Sequence, residues 1–254
     1  MIFMKGILVY PYGNTPALIS AARLLASRGV ECTFEPDHRV THLLLSVPSL
    51  DPSGDLRGGG KPEEVLARLP SAVTVVGGML EHPVFSAHSR VDLLGDAYYV
   101  AENAALTADC ALRLASDRLP LAWKGCPVLI VGWGRIGKCL ARLLQNLEAE
   151  VAVSARREEN LALLTALGYE AIAPEVLTNQ LPRFRVVFNT VPAPVLKQTP
   201  DCAQNLWIDL ASCLGLEGEN VLWARGLPGK MLPESSGKLI GSSLLRLLQK
   251  GGGQ

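Results

Sequence analysis

The stretch Val128-Leu129-Ile130-Val131-Gly132-Trp133-Gly134-Arg135-Ile136-Gly137 decides how the rest of the chain is read. Four apolar residues read as a strand buried on both faces. They run directly into Gly-x-Gly-x-x-Gly, and a helix with Leu140, Ala141, Leu143, Leu144 and Leu147 on one face follows. A glycine motif alone is weak; one set between an apolar strand and an amphipathic helix is a dinucleotide-binding turn. Each glycine has its own task. Gly132 turns the chain off the strand, Gly134 lets a pyrophosphate approach the backbone, and Gly137 lets the helix pack close to the strand. The helix start then offers unpaired N–H groups and the positive end of its dipole to phosphate.

The next strand, Val151-Ala-Val153, selects the dinucleotide. An acidic side chain at its end would bind the ribose 2′-hydroxyl of NAD. Here the chain reads Ser154-Ala-Arg156-Arg157, with no carboxylate and two guanidinium groups suited to a phosphate fork. NADP is therefore preferred over NAD. Gly58-Gly-Gly-Lys61 is not a P-loop, because Pro62 stands where Ser or Thr is required.

Outward from this turn, strands alternate with helices in both directions, which predicts parallel α/β sheets. Towards the N-terminus, strands are expected at Gly6–Tyr10, Glu31–Phe34, His42–Ser46 and Val73–Val76, with a further β-like run at Val91–Val100. Asn14 is the expected cap of a first helix that stops at Gly29, and Pro62 opens another with Glu63 and Glu64 in its first turn. Pro48–Pro62 is a long loop rich in turn formers. Glu102–Leu119 reads as a helix. Beyond the glycine turn, helix Glu158–Leu167 is followed by strands Val186–Phe188, Leu206–Asp209 and Val221–Ala224, and Ser236–Lys250 forms the last helix before a glycine-rich, frayed tail. The expected architecture is α/β with two domains. Residues 1–101 form an N-terminal Rossmann- or flavodoxin-like substrate domain, 102–122 a connecting helix and 123–233 a nucleotide-binding Rossmann domain. Residues 234–254 form a C-terminal helix packing back towards the N-terminal domain.

Composition narrows the partners. Of 254 residues, 48% are hydrophobic and 19% charged, enough apolar surface to exclude a disordered chain. Twenty-four basic residues balance twenty-four acidic ones, against a nucleic-acid or anionic-membrane partner. No apolar run approaches a membrane span, and the start of the chain lacks the pattern of an export signal. Cys32, Cys110, Cys126, Cys139, Cys202 and Cys213 form no CxxC pair and have no zinc-finger partner, so they read as free thiols of a reducing cytoplasm, and no metal site is expected. His38, His42, His82 and His88 share no ligand spacing, and no histidine follows in the nucleotide domain to act as acid/base. That argues against a simple 2-hydroxy-acid dehydrogenase.

Ligands of a parallel sheet sit beyond the carboxyl ends of its strands. Those ends carry Asn189-Thr190-Val191-Pro192, Asp209-Leu-Ala-Ser212 and Arg225-Gly-Leu-Pro-Gly-Lys230. Phe188-Asn-Thr-Val-Pro-Ala-Pro194, Ile208-Asp-Leu-Ala-Ser212 and Gly226-Leu-Pro-Gly-Lys230, with the loop after Leu43-Leu-Leu-Ser-Val-Pro48, Asn103–Asp109, Gly132–Gly137 and Ser154-Ala-Arg156, make the chain resemble the A-subunit family of dipicolinate synthases from about His42 onward. The resemblance implies a two-domain NADP-dependent dehydrogenase that converts a dihydrodipicolinate-level intermediate to pyridine-2,6-dicarboxylate, the spore acid. It also implies a flavoprotein-like second subunit as partner. Homo-oligomerisation is expected as well. The coenzyme would then be held by Gly132, Gly134, Arg135, Ile136, Gly137, Ser154, Arg156, Arg157, Thr190, Val191, Pro192 and Ser212. Lys230, with Arg225, would clamp a dicarboxylate, and Asp209, Thr107 and Asp109 would supply polar and proton-handling groups. The chain departs from the family at Leu106-Thr107 and Asp109-Cys110, and by a shortened Cys213–Asn220 segment that lacks the family's short helix. Cofactor binding is thus better supported than substrate. Two other functions fit the same residues: a nucleotide-binding regulatory or scaffold subunit without turnover, and a dehydrogenase of another small acid.

Overall fold

A computed structural model describes residues 6–197, 199 and 205–251. Met1–Lys5, Cys202 and the last three residues of the glycine-rich tail lie outside the described residues. The chain divides into two compact units, one formed by residues 1–103 and 228–254, the other by 104–227.

The first unit is built on five parallel strands: β1 (Leu8–Pro11), β2 (Glu31–Cys32), β3 (His42–Leu44), β4 (Thr74–Gly77) and β5 (Ser89–Asp92), in the order β2-β1-β3-β4-β5. This is the flavodoxin-like order. Val9, Leu43, Leu44, Val75 and Val76 are fully buried, as expected of strands covered on both faces. Helix α1 (Pro16–Ser27) buries Leu18, Ala21, Ala22 and Leu25 at helical spacing. Its cap is Thr15, not Asn14: the Thr15 hydroxyl accepts the Leu18 N–H at 3.3 Å, and Pro16 takes the first helical position. Asn14 is instead a turn residue with φ +32°. Helix α2 (Pro62–Leu66) starts at its proline as expected. The loop before it is ordered by its own side chains. Asp51 Oδ1 accepts N–H groups of Ser53 and Asp55 at 2.8 and 3.1 Å, and Lys61 pairs with Asp55 at 2.6 Å.

The run Val91–Val100 is not one strand. β5 ends at Asp92, and helix α3 (Ala97–Ser116) has already begun at Ala97. Asp96 makes the difference, since its carboxylate accepts the Tyr99 N–H at 2.8 Å and so caps a helix whose first turn looked β-like from its tyrosines and valine.

The second unit holds β6 (Pro127–Val131), helix α4 (Arg135–Asn146), β7 (Glu150–Ser154), α5 (Glu158–Ala166), β8 (Glu170–Ile172) and α6 (Pro174–Gln180). β9 (Val186–Asn189), β10 (Leu206–Asp209) and β11 (Val221–Trp223) follow. All six strands are parallel, in the order β11-β10-β9-β6-β7-β8, the doubly wound arrangement of a Rossmann sheet. Helix α7 (Leu227–Met231) is one short turn built from Leu227-Pro-Gly-Lys-Met. Helix α8 (Pro233–Gly251) starts three residues earlier than expected and packs along α1 in the first unit, with Ile240 and Leu244 buried beside Leu18, Ala21 and Leu25. Among the described residues no helix is long and apolar enough to cross a membrane.

Candidate functional site: a dinucleotide cradle at the carboxyl ends of β6, β7 and β9

The order of the second sheet reverses between β6 and β9, so the connections leaving these paired strands run to opposite sides, the place where a Rossmann sheet offers a crevice. The glycine turn fills the floor of that crevice. Gly132 has φ +104°, a backbone that L side chains rarely adopt, and a Cβ there would meet Thr190 Oγ1 at 2.5 Å and Val191 Cγ2 at 2.8 Å. Gly137 lies so close under the turn that a Cβ would come within 2.2 Å of the Gly132 carbonyl. Gly134 is different: nothing lies within 4 Å of the place its Cβ would occupy. It caps α4 without a side chain, so the first N–H groups of α4 have no side-chain acceptor there. Two glycines are required by the protein's own packing, and the third stands beside open space. Trp133 turns away to pack edge-on against Tyr169, ring centroids 5.6 Å apart.

At the end of β7, Ser154 is buried and its carbonyl accepts the Gly132 N–H at 2.9 Å, which ties β7 to the glycine turn. Arg156 and Arg157 follow on the surface. Arg157 sits at the cap of α5 and pairs loosely with Glu159 at 3.2 Å; Arg156 makes no ion pair or hydrogen bond among the described residues. Two cations thus stand at a helix start, where an anion would be favoured.

At the end of β9, Thr190 donates its hydroxyl to the Val131 carbonyl at 2.9 Å and closes the second wall of the crevice. Val191 is half-buried, and Pro192 and Ser212 are exposed beyond it. Asp209 is fully buried at the end of β10. Oδ1 accepts the Ala211 N–H at 2.9 Å; Oδ2 accepts the N–H groups of Gly215 at 2.7 Å and Leu216 at 3.0 Å, and Asn189 Nδ2 at 3.0 Å. Every partner is a donor, the pattern that suits a carboxylate. Asn189 is itself fully buried, accepts the Val191 N–H at 3.0 Å and donates to the Val191 carbonyl at 3.1 Å. Asp209 and Asn189 therefore fix the two loops that follow β9 and β10. Asn189 was not among the expected site residues, although its place at the end of an apolar strand, in register with Asp209, was the available signal.

The remaining expected site residues stand on α3 and α7. Thr107 is buried in α3. Asp109, further along α3, holds Arg113 with two hydrogen bonds of 3.2 and 3.1 Å. Lys230 is exposed in α7, within the stretch that belongs to the first unit. Among the described residues no group of three or more His, Cys, Asp or Glu could hold a metal.

Similar proteins carry the same fold. The A subunit of dipicolinate synthase from Bacillus subtilis is 27% identical over 243 residues, covering 86% of this chain and 82% of its own. The crystal structure of the corresponding subunit from Bacillus halodurans superposes with a TM-score of 0.85 at 22% identity, covering 97% of this chain and 99% of that one. The chain resembles the A subunit of dipicolinate synthase along nearly its whole length. The fold extends further, to a transhydrogenase from Sinorhizobium meliloti at TM-score 0.70 and 13% identity, covering 96% of this chain and 84% of that one. No family model matches the chain. The two parallel α/β sheets of this chain are thus the fold of these structures.

Proposed function

We propose that the chain is an NADP-dependent dehydrogenase that oxidises a dihydrodipicolinate-level intermediate to dipicolinate, working in the cytoplasm as a homo-oligomer beside a flavoprotein-like second subunit. The observation that carries the coenzyme is the open space over Gly134, bounded by two glycines whose absent side chains the protein itself requires. Arg135 and Ile136 carry the N–H groups that meet the pyrophosphate. Arg156, with Arg157 and Ser154, takes the 2′-phosphate of NADP, since no acid at the end of β7 would repel it. Thr190, Val191, Pro192 and Ser212, at the ends of β9 and β10, would hold the nicotinamide half.

When bound, the coenzyme accepts the hydride. The chain does the rest. Lys230 holds a substrate carboxylate. A ring carbon gives up hydride and an adjacent position gives up a proton, which Asp109 or Thr107 relays to solvent as the ring becomes aromatic. Asp209 is cast as a positioning residue, because its hydrogen-bonding capacity is engaged inside the protein. The shortened segment after Ser212 favours a second reading, a coenzyme-binding subunit without turnover of its own.

The test mixes the protein, NADP and an aldolase-generated dihydrodipicolinate mixture, with and without a flavoprotein partner. NADPH and dipicolinate appearing together is the expected result. Tight NADPH binding with no turnover under any condition would establish the second reading. Arg156→Gln should weaken NADPH binding about tenfold or more and leave NADH binding nearly unchanged, the loss of one charge-assisted contact. Equal losses for both coenzymes would remove the NADP assignment.

A further inference from the structure

The edge of the second sheet carries a cation that the mechanism above leaves unused. Trp223 is the last residue of β11 and pairs in register with Asp209 of β10. Its indole N–H donates to the Ala211 carbonyl at 3.1 Å, next to Ser212, and so fixes the ring against the loop that Asp209 organises. Even so, 46% of Trp223 stays exposed, unusual for so large an apolar side chain tied at one end. The Arg225 guanidinium lies 4.9 Å from the centre of that ring. Among the described residues Arg225 makes no ion pair and no hydrogen bond, so its donors have no protein acceptor. A guanidinium stacked on an indole loses little of its charge to the ring, while its rotamers are narrowed and its donor edge is left outward. Both residues stand at the carboxyl end of a parallel sheet, on the side of the β6/β9 reversal away from the arginines of β7.

We infer that Arg225, lying over the ring of Trp223, anchors a carboxylate of the substrate in addition to Lys230, and that the uncovered part of the indole makes the site prefer a carboxylate borne on a flat ring. The inference rests on the reading of the substrate as a ring dicarboxylate and adds to it the residues that select the ring. Arg225 offers the planar fork a carboxylate fits. Trp223 is a positioning residue for Arg225 and an apolar neighbour for the ring face.

The experiment titrates the whole protein, loaded with NADPH, with pyridine-2,6-dicarboxylate and with its saturated, puckered analogue piperidine-2,6-dicarboxylate, by calorimetry. Wild type should prefer the flat ring. Arg225→Gln should weaken both ligands about tenfold or more, with the NADPH affinity unchanged, as expected for losing a hydrogen bond between charged groups. Arg225→Lys should recover only part of this, because a point charge lacks the fork. Trp223→Leu should weaken the flat ligand severalfold and erase the preference, and Trp223→Phe should restore it. If wild type binds the flat ligand and Arg225→Gln binds it within about twofold, the anchor is overturned while the proposed activity stands. If wild type binds neither ligand, the ring-dicarboxylate reading falls, and the anchor with it.

Discussion

Gly134 and Gly137 are three residues apart in one motif, and substitution should separate them. A Cβ at Gly137 runs into the Gly132 carbonyl, which is backbone and cannot swing aside. Gly137→Ala should therefore destabilise the protein by about 1–3 kcal/mol, the usual cost of overpacking. A Cβ at Gly134 meets nothing, so Gly134→Ala should keep the unfolding midpoint close to wild type. It should still weaken dinucleotide binding tenfold or more, since the methyl group occupies the space a pyrophosphate would use. Thermal unfolding with and without NADPH reads both effects. The motif's spacing already gave Gly137 to helix packing and Gly134 to open backbone; what lies opposite each one, the Gly132 carbonyl and nothing, was not legible, because it depends on the folded surroundings. His42 gives a pH dependence at the same scale. It is half-buried at the start of β3, its Nδ1 2.9 Å from the Thr41 hydroxyl, and burial lowers its pKa from the ordinary 6.5. A lowered pKa means that the unfolded chain takes up the proton first. The stabilisation is therefore present above about pH 6.5 and lost as pH falls through the folded value. Urea unfolding at pH 7.5 and 5.5 should show a smaller loss of stability on acidification in His42→Gln than in wild type.

Among the elements, strands were easier to foresee than their ends. Val128–Val131 and Val186–Phe188 are apolar on both faces, and such runs have few alternatives once glycine and charged residues bound them. Tyr98, Tyr99 and Val100 were misread because tyrosine and valine favour strands, while a single carboxylate, Asp96, commits them to α3. β8 was also missed, being only three residues long with Glu170 at its start. The loops after β9 and β10 show the same limit for the site. Asp209 stood out in the sequence as an acid at a strand end, and its role could not be told from there because its four donors come from two separate segments of chain, one of them twenty residues away. Asp209→Ala would leave three buried N–H groups and the Asn189 amide without an acceptor. A loss of about 3–5 kcal/mol is expected, the range for removing one partner of a buried charged network. Hydrogen exchange should speed at Ala211, Gly215 and Leu216 while Ala152 and Val153 in β7 stay protected. If exchange at these three amides is unchanged, Asp209 does not organise the loop.

At the scale of the molecule, each unit solves the same problem, a parallel sheet needing apolar cover on both faces, and the first unit solves it with chain from both ends of the sequence. Helix α8 lies against α1 closely enough that a Cβ at Gly237 would meet the Ala17 carbonyl at 2.1 Å and Ser20 Cβ at 2.6 Å, and one at Gly241 the Ala21 carbonyl at 3.1 Å. Glycine inside a helix costs about 1 kcal/mol relative to alanine, so two of them, one turn apart on one face of α8, are explained by the close approach they allow. That approach brings Ile240 and Leu244 into the cluster of Val9, Leu18 and Leu25, lets Ser20 donate to the Glu234 carbonyl at 3.1 Å, and sets Arg246 on Asp96, the residue that caps α3. Gly237→Val must push α8 away from α1, because the atom it strikes is again backbone. The substitution should destabilise the first unit by at least about 2 kcal/mol, overpacking combined with lost burial of Ile240 and Leu244. Hydrogen exchange followed by mass spectrometry should show β1, α1 and α8 losing protection together, with β6 and β7 in the second unit retaining theirs. NADPH affinity should also be retained, since β6, β7 and β9 with their glycine turn all belong to the second unit. A uniform loss of protection across both units would mean instead that the two sheets unfold as one cooperative body, with α8 as a support for the whole chain.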